Sequence, residues 1–289
     1  MSQATFDTQI MAAAPARDAL LEALRERIRV AGSPHIALAT VLVGDDGPSH
    51  KYVASKHTTA ESIGISSVRF ELPVTATQSE VENRVRELAH DPAVHAILVQ
   101  MPLPHHLDTE RVLAHIPPEK DVDGLTEASM GRLVRGTRGH IGCTPLGVLR
   151  LLDFYNISTR GKRAVVIGRS LLVGLPLAIL LGQKGRDATV TLAHSQTEDL
   201  ENVCREADIV VSATGVPRSI TARHVKSGAV VIDVGISRTD HGIVGDVDAE
   251  SVTGVASALT PMPGGTGVMT VACLMENTVN AAEMQGVRV

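Results

Sequence analysis

Tryptophan is absent from the 289-residue chain, and only two tyrosines and three phenylalanines occur. A core without large rings must be built from valine, isoleucine, leucine and alanine, which suits parallel strands buried on both faces. Cysteine is scarce too: Cys143, Cys204 and Cys273 are far apart and form no CxxC pair. That excludes a disulfide framework and is the pattern of a reducing compartment. No basic stripe with interleaved aromatics is present, and Lys and Arg are dispersed under a net charge of −5, which excludes a nucleic-acid footprint. The first residues carry Asp7 and lack a basic start followed by an apolar run, so no secretory leader is expected. The longest apolar stretch, Leu171 to Leu181, is broken by Gly174 and Pro176 and is too short to cross a bilayer. These absences predict a cytoplasmic protein with no membrane or nucleic-acid partner.

What is present is ordinary for a globular chain: 44% hydrophobic and 20% charged residues, and length enough for two domains. Helical spacing over Pro15 to Val30 is followed by the buried-strand run His35 to Gly44, closed by Asp45-Asp46-Gly47-Pro48. A helix to Gly64, a strand over Ser66 to Leu72, a helix over Ser79 to His90 and a strand over Val94 to Gln100 continue the alternation. A short helix over Thr109 to Ile116 precedes a glycine-rich link containing Gly131, Gly136, Gly139 and Gly142. A second αβ series then opens at Arg163 and supplies strands ending near Gly168, Ala193, Ala213 and Val234, and the tail from about Met269 is helical. Alternating strands and helices imply parallel pairing with right-handed crossovers. The expected fold class is therefore α/β, with two domains. An N-terminal αβα domain spans residues 1–140 and is completed by 266–289, the C-terminal helix packing back on it; a Rossmann-type domain spans 141–265.

The fragment Val165-Val-Ile-Gly168-Arg169-Ser170-Leu-Leu-Val-Gly174 reads as strand, glycine turn and helix start. A dinucleotide site needs that junction, because the backbone must approach a pyrophosphate while a helix N-terminus offers unpaired N–H groups. The usual G-x-G-x-x-G lacks its middle glycine here, so the alternative is an αβ unit whose glycines only serve tight turns. The next strand runs into Ser195, where an NAD enzyme usually carries Asp or Glu for the ribose hydroxyls. With no carboxylate there and Arg169 available for a ribose phosphate, the pattern favours NADP. Ser212-Ala-Thr214-Gly215 ends the third strand with residues small enough for a cofactor to lie across the sheet edge.

In the first half, Tyr52 and Lys56 share one face of a predicted helix. Short-chain dehydrogenases carry a similar Tyr-x-x-x-Lys pair after the nucleotide turn, whereas this one lies far upstream of Gly168, which excludes that family. The plain alternative is a solvated lysine beside a half-buried tyrosine. Gln100 ends a buried strand, at the carboxyl edge where ligands of parallel sheets bind, or else simply caps it. Asp121 and Asp123 are open between paired carboxylates and loop polarity, and with no His or third carboxylate at ligand spacing no metal is expected. His57, His105 and His106 are read as surface or packing residues, and Cys143 as a small core-lining residue.

Five stretches now stand in one order: Tyr52-x-x-x-Lys56, Gln100-Met-Pro-Leu-Pro104, Lys120-Asp-Val-Asp-Gly124, Gly168-Arg-Ser-x-x-Val-Gly174 and Thr260-Pro-Met-Pro-Gly-Gly265. Together they resemble the methylenetetrahydrofolate dehydrogenase/methenyltetrahydrofolate cyclohydrolase family from about residue 5 to 285. The resemblance implies an NADP-dependent oxidoreductase and hydrolase of one-carbon metabolism and purine biosynthesis, acting on tetrahydrofolate derivatives, cytoplasmic and homodimeric. It implies that residues 1–140 are the catalytic, folate-binding domain, with Lys56 central, Tyr52 orienting the folate, Gln100 bonded to Lys56 and Asp123 on the pterin edge. Pro263, Gly264 and Gly265 would line the folate pocket. Gly168, Arg169, Ser170, Gly174, Ser195, Thr214, Gly215 and Ile236 would hold NADP. Two positions depart from the family: Val268 stands where a proline is usual, and Gln196 where many members carry a basic residue. A shikimate-type or amino-acid dehydrogenase, which also pairs a lysine-bearing domain with a Rossmann domain, is the rival enzyme reading; the Lys120–Gly124 and Pro263–Gly265 segments count against it. A non-catalytic NADP sensor is the third, against which Lys56, Gln100 and Asp123 stand intact.

Overall fold

The computed structural model describes residues 6–240 and 242–289, gathered into two compact units. One comprises Asp18–Cys143 and Val271–Val289; the other comprises Thr144–Thr270 with the segment that ends at Arg17.

The Asp18–Cys143 unit is built on three parallel strands, with Ala37–Val43 between Ser66–Leu72 and Ala96–Val99. The sequence Ala-Leu-Ala-Thr-Val-Leu-Val puts an aliphatic or β-branched side chain at almost every position of the central strand, and all seven are buried. Helix Gln78–His90 starts at a reciprocal cap: Thr77 Oγ1 accepts from Glu80 N at 3.3 Å, and Glu80 Oε2 accepts from Thr77 N at 2.7 Å. Its Val81, Val85 and Leu88 pack on Ala39, Val41, Ile97 and Val99. The last part of helix Thr266–Met284 closes this unit, where Arg27 pairs with Glu283 and Gln285 Nε2 donates to His95 O at 2.7 Å. The C-terminal helix therefore packs back on the first half as expected.

The stretch read as a glycine-rich link is different. Glu127–Arg135 is a helix capped by Thr126, whose side chain accepts from Ser129 N, and ended by Gly136 in the left-handed region at φ 63°. Gly136 is a helix stop and Gly131 lies inside the helix, so half of the glycines that suggested a linker belong to one element.

The Thr144–Thr270 unit holds a six-stranded parallel sheet in the order Gln9–Ile10, Ala258–Leu259, Val230–Asp233, Ile209–Ser212, Arg163–Ile167, Thr189–Ala193. From Arg163–Ile167 the chain goes first to one neighbour, Thr189–Ala193, and then to the other, Ile209–Ser212, so the order reverses beside its first strand. The N-terminal segment lies in this unit: Gln9 and Ile10 pair with Ala258 and Leu259, Ala13 N donates to Gly264 O at 2.9 Å, and Tyr155 Oη donates to Ala12 O at 2.8 Å. A two-residue strand has no period to read, which is why the expected first domain began at residue 1. A hairpin of Ser237–Thr239 and Gly242–Val244 also stands outside the expected pattern.

Candidate active site

Helix Gly47–Ser62 carries Tyr52 and Lys56 one turn apart, so both project from one face. Lys56 is buried, 6% exposed, and its Nζ lies 4.3 Å from the centroid of the Tyr52 ring. The same nitrogen donates to Gln100 Oε1 at 3.0 Å. Gln100 follows strand Ala96–Val99; its backbone N donates to Val41 O at 2.9 Å and its Nε2 donates to Met101 O at 2.7 Å. With the amide nitrogen held by the backbone, the amide oxygen is the end that faces Lys56.

Burial drives the Lys56 ammonium below the ordinary lysine range, opposed by the charge of Asp123 and then by Cys143. Asp123 shows the converse. It keeps some accessible surface, yet the surrounding protein raises its carboxyl pKa, with Lys56 as the main opposing influence. Cys143 is buried, its Sγ 3.3 Å from Val122 O, and burial followed by the Asp123 charge pushes its thiol well above the usual value. That leaves an inert thiol, consistent with a lining role.

The two aspartates of Lys120-Asp-Val-Asp-Gly124 part company. Asp121 Oδ2 accepts from Thr126 N at 2.9 Å and Thr126 Oγ1 at 2.7 Å, and Oδ1 accepts from Leu125 N at 3.2 Å. It orders the turn before helix Glu127–Arg135, leaving Asp123 as the carboxylate of the lysine cluster. Gly124, at φ 66°, packs so closely that a Cβ would lie 2.8 Å from Gly142 N. Of the histidines, His57 pairs with Glu61 at 3.2 Å and His106 Nε2 lies 2.9 Å from Ala76 O. Asn277 was not singled out by its sequence context; its Nδ2 donates to Val122 O at 2.7 Å and to Ile141 O at 2.8 Å.

The nucleotide candidates lie in the other unit, at the carboxyl ends of neighbouring strands. Gly168 ends Arg163–Ile167 at φ 115°, where a side chain would collide with Ala213 O; a side chain at Gly174 would collide with Gly168 O. This turn can be made only by glycine at both positions, and helix Gly174–Gly182 starts from it. Arg169 and Ser170 on the turn, Ser195 beyond Thr189–Ala193, and Thr214 and Gly215 beyond Ile209–Ser212 are all exposed. Ile236, beyond Val230–Asp233, is 54% exposed. They gather where the strand order reverses, the place at which open parallel sheets bind ligands. A glycine cradle, an exposed guanidinium and a helix N-terminus fit the pyrophosphate and ribose phosphate of NADP. Pro263 and Gly264, both exposed, and Gly265, buried, belong to this same unit.

The sequence matches Tetrahydrofolate dehydrogenase/cyclohydrolase, catalytic domain, over residues 11–123, and Tetrahydrofolate dehydrogenase/cyclohydrolase, NAD(P)-binding domain, over residues 142–286. The Bifunctional protein FolD of Methanospirillum hungatei is 51% identical over 262 residues, 91% of this chain and 93% of its own. The solved structure of FolD, a methylenetetrahydrofolate dehydrogenase/cyclohydrolase, from Campylobacter jejuni superposes with a TM-score of 0.93 at 41% identity, covering 96% of this chain and 99% of that one. The methylenetetrahydrofolate dehydrogenase-cyclohydrolase of Trypanosoma brucei, complexed with NADP cofactor and inhibitor, superposes with a TM-score of 0.89 at 35% identity, covering 96% and 98%.

Proposed function

The chain belongs to the tetrahydrofolate dehydrogenase/cyclohydrolase family, and on that premise we propose that Lys56, Tyr52, Gln100 and Asp123 carry its folate chemistry. The enzyme is bifunctional: it oxidises 5,10-methylenetetrahydrofolate to 5,10-methenyltetrahydrofolate with NADP, then hydrolyses the product to 10-formyltetrahydrofolate. The observation that carries the residue assignment is the buried Lys56 amine, held by the oxygen of a neutral amide under a tyrosine ring.

Bound NADP supplies the hydride acceptor for the first reaction. Gly168, Arg169, Ser170, Gly174, Ser195, Thr214, Gly215 and Ile236 would hold it, with Arg169 available to the ribose phosphate where no carboxylate opposes one. Because the folate nitrogen lone pair already expels hydride, the protein contributes chiefly by orienting the folate, with Tyr52 against its ring and Asp123 on the pterin edge. Pro263, Gly264 and Gly265 are assigned to folate by the family resemblance.

The second reaction moves protons. Water adds to the cationic methenyl carbon, the bond from that carbon to one ring nitrogen opens, and one proton is released. A lysine whose pKa is lowered gives up its proton more readily, and its neutral form can take the proton from the attacking water and return it to the departing nitrogen. Gln100 suits such a lysine, since an amide oxygen holds the amine without locking it as an ammonium, as a carboxylate would.

A cytoplasmic homodimer feeding one-carbon units to purine biosynthesis completes the proposal. Three buried free cysteines support a reducing compartment, and the family resemblance supports a dimer formed through the nucleotide unit. The test is a coupled assay with methylenetetrahydrofolate and NADP or NAD, following reduced cofactor and methenyl intermediate together. Cofactor reduction with NADP, and decay of the intermediate after addition, is the expected result. Reduction with shikimate but not with methylenetetrahydrofolate would overturn it.

A further inference from the structure

Asp233 and Asp246 interlock beneath the nucleotide edge, both buried, at 2% and 0% exposure. Asp233 ends strand Val230–Asp233, and Asp246 lies on the segment returning from the hairpin. Asp233 Oδ1 accepts from Gly235 N and from Asp246 N, each at 3.0 Å, and Oδ2 accepts from Val247 N at 2.9 Å. Asp246 Oδ2 gathers three donors: Ser212 Oγ at 3.0 Å, Thr214 N at 2.6 Å and Gly215 N at 3.2 Å. Its other oxygen, Oδ1, is buried without any hydrogen-bond partner among the described residues. A side chain at Gly235 would collide with the Asp246 carboxylate, and one at Gly245 with the Asp233 carboxylate.

A buried carboxylate oxygen without a donor is costly, and a structural tie between loops is made more cheaply by a neutral side chain. What a carboxylate adds is one oxygen strong enough to hold several donors at once. Here two of the three are successive backbone N–H groups of the exposed Thr214–Gly215 turn. The unpaired oxygen, meanwhile, occupies the space over Gly235 and so confines the backbone that leads into exposed Ile236. The same side chain thus reaches two of the segments assigned to the cofactor.

We propose that Asp246 is a positioning residue for the dinucleotide: one carboxylate oxygen fixes the Thr214–Gly215 turn, while the other confines Gly235 ahead of Ile236. This rests on the reading that places NADP at this sheet edge. Asp246→Asn keeps the shape but removes the charge and half of the acceptor. It is expected to raise the NADP Kd about tenfold by isothermal titration, and to raise the dehydrogenase KM for NADP more than it lowers kcat. Hydrolysis of methenyltetrahydrofolate without nucleotide should stay within about twofold, because its proposed residues lie in the other unit.

An unchanged Kd with hydrolysis intact overturns the inference. If Asp246→Asn does not fold, Ser212→Ala decides it, since it removes one donor to the same oxygen; NADP should then weaken about threefold, and an unchanged Kd again overturns the proposal. Wild-type protein that shows no saturable NADP binding removes the cofactor reading itself.

Discussion

Asn277 reaches from the terminal helix to donate a 2.7 Å hydrogen bond to the carbonyl of Val122, the residue just before Asp123. The same Nδ2 donates to Ile141 O at 2.8 Å and lies 3.7 Å from Cys143 Sγ. Both hydrogens of one buried amide are thereby used, and that nitrogen ties the loop bearing Asp123 to the segment bearing Cys143, beside the bond from Cys143 Sγ to Val122 O.

Asn277→Ala should therefore leave Ile141 O without its donor and Val122 O with only the weak Cys143 thiol, at about 1–3 kcal/mol in all. The expected result is a lower urea midpoint with unchanged slope, together with a raised KM for the folate and an NADP Kd within about twofold of wild type. Asn277→Asp should be worse, because it turns an acceptor toward two acceptors. An unaltered urea midpoint in both variants would show that the tie is dispensable.

Lys56→Met removes the amine and should abolish hydrolysis of methenyltetrahydrofolate while leaving NADP binding intact. Gln100→Glu is the finer test. A carboxylate beside the buried amine raises the lysine pKa from its lowered position, so hydrolysis at neutral pH should fall and the rising limb of the pH–rate profile should move to higher pH. A profile with the limb unmoved would mean that Lys56 is not the group titrating.

Asp123→Ala should weaken folate binding about tenfold or more, by loss of a charge-assisted contact, and spare NADP binding. Equal losses of both ligands in titration would point to a fold defect, which a thermal melt would confirm.

Gly174→Ala places a methyl group against the carbonyl oxygen of Gly168, backbone that cannot move without opening the turn. NADP binding should be lost, whereas hydrolysis without nucleotide should persist. A variant that still binds NADP tightly would show the turn to be more plastic than its packing.

The long strands were legible because a run such as Ala37–Val43 or Arg163–Ile167 is aliphatic on both faces and bounded by turn residues. The helix Glu127–Arg135 was hidden by glycines, one of which serves as its stop. Gln9–Ile10 and Ala258–Leu259 are two residues each, too short for any period, and exist because a neighbouring edge accepts them. Tyr52 and Lys56 announced a shared helical face, but burial of the amine depends on strand Ala96–Val99 lying beside Ala37–Val43 and delivering Gln100. Asp233 and Asp246 carried no signal, since Asp-Val-Gly and Gly-Asp-Val look like turn polarity until the sheet brings them together.

Asp233 makes the last prediction, because burial raises its carboxyl pKa from 3.8 to about 6 against the pull of backbone donors Val247, Asp246 and Gly235. Between those two values the folded protein keeps a proton that the unfolded chain has released. The stabilisation is therefore complete below 3.8 and is lost as pH rises through about 6, the reverse of an ordinary salt-bridged aspartate. At 1.36 kcal/mol per pKa unit the swing is about 3 kcal/mol at most. Asp233→Asn does not titrate, so its stability lacks this pH dependence, and it loses an acceptor for Val247 N. The gap to wild type should be widest in acid and should narrow toward neutrality, as read from urea midpoints at pH 4, 5, 6 and 7. A gap of constant width would mean that Asp233 titrates alike in both states, and that its three backbone donors cancel the effect of burial.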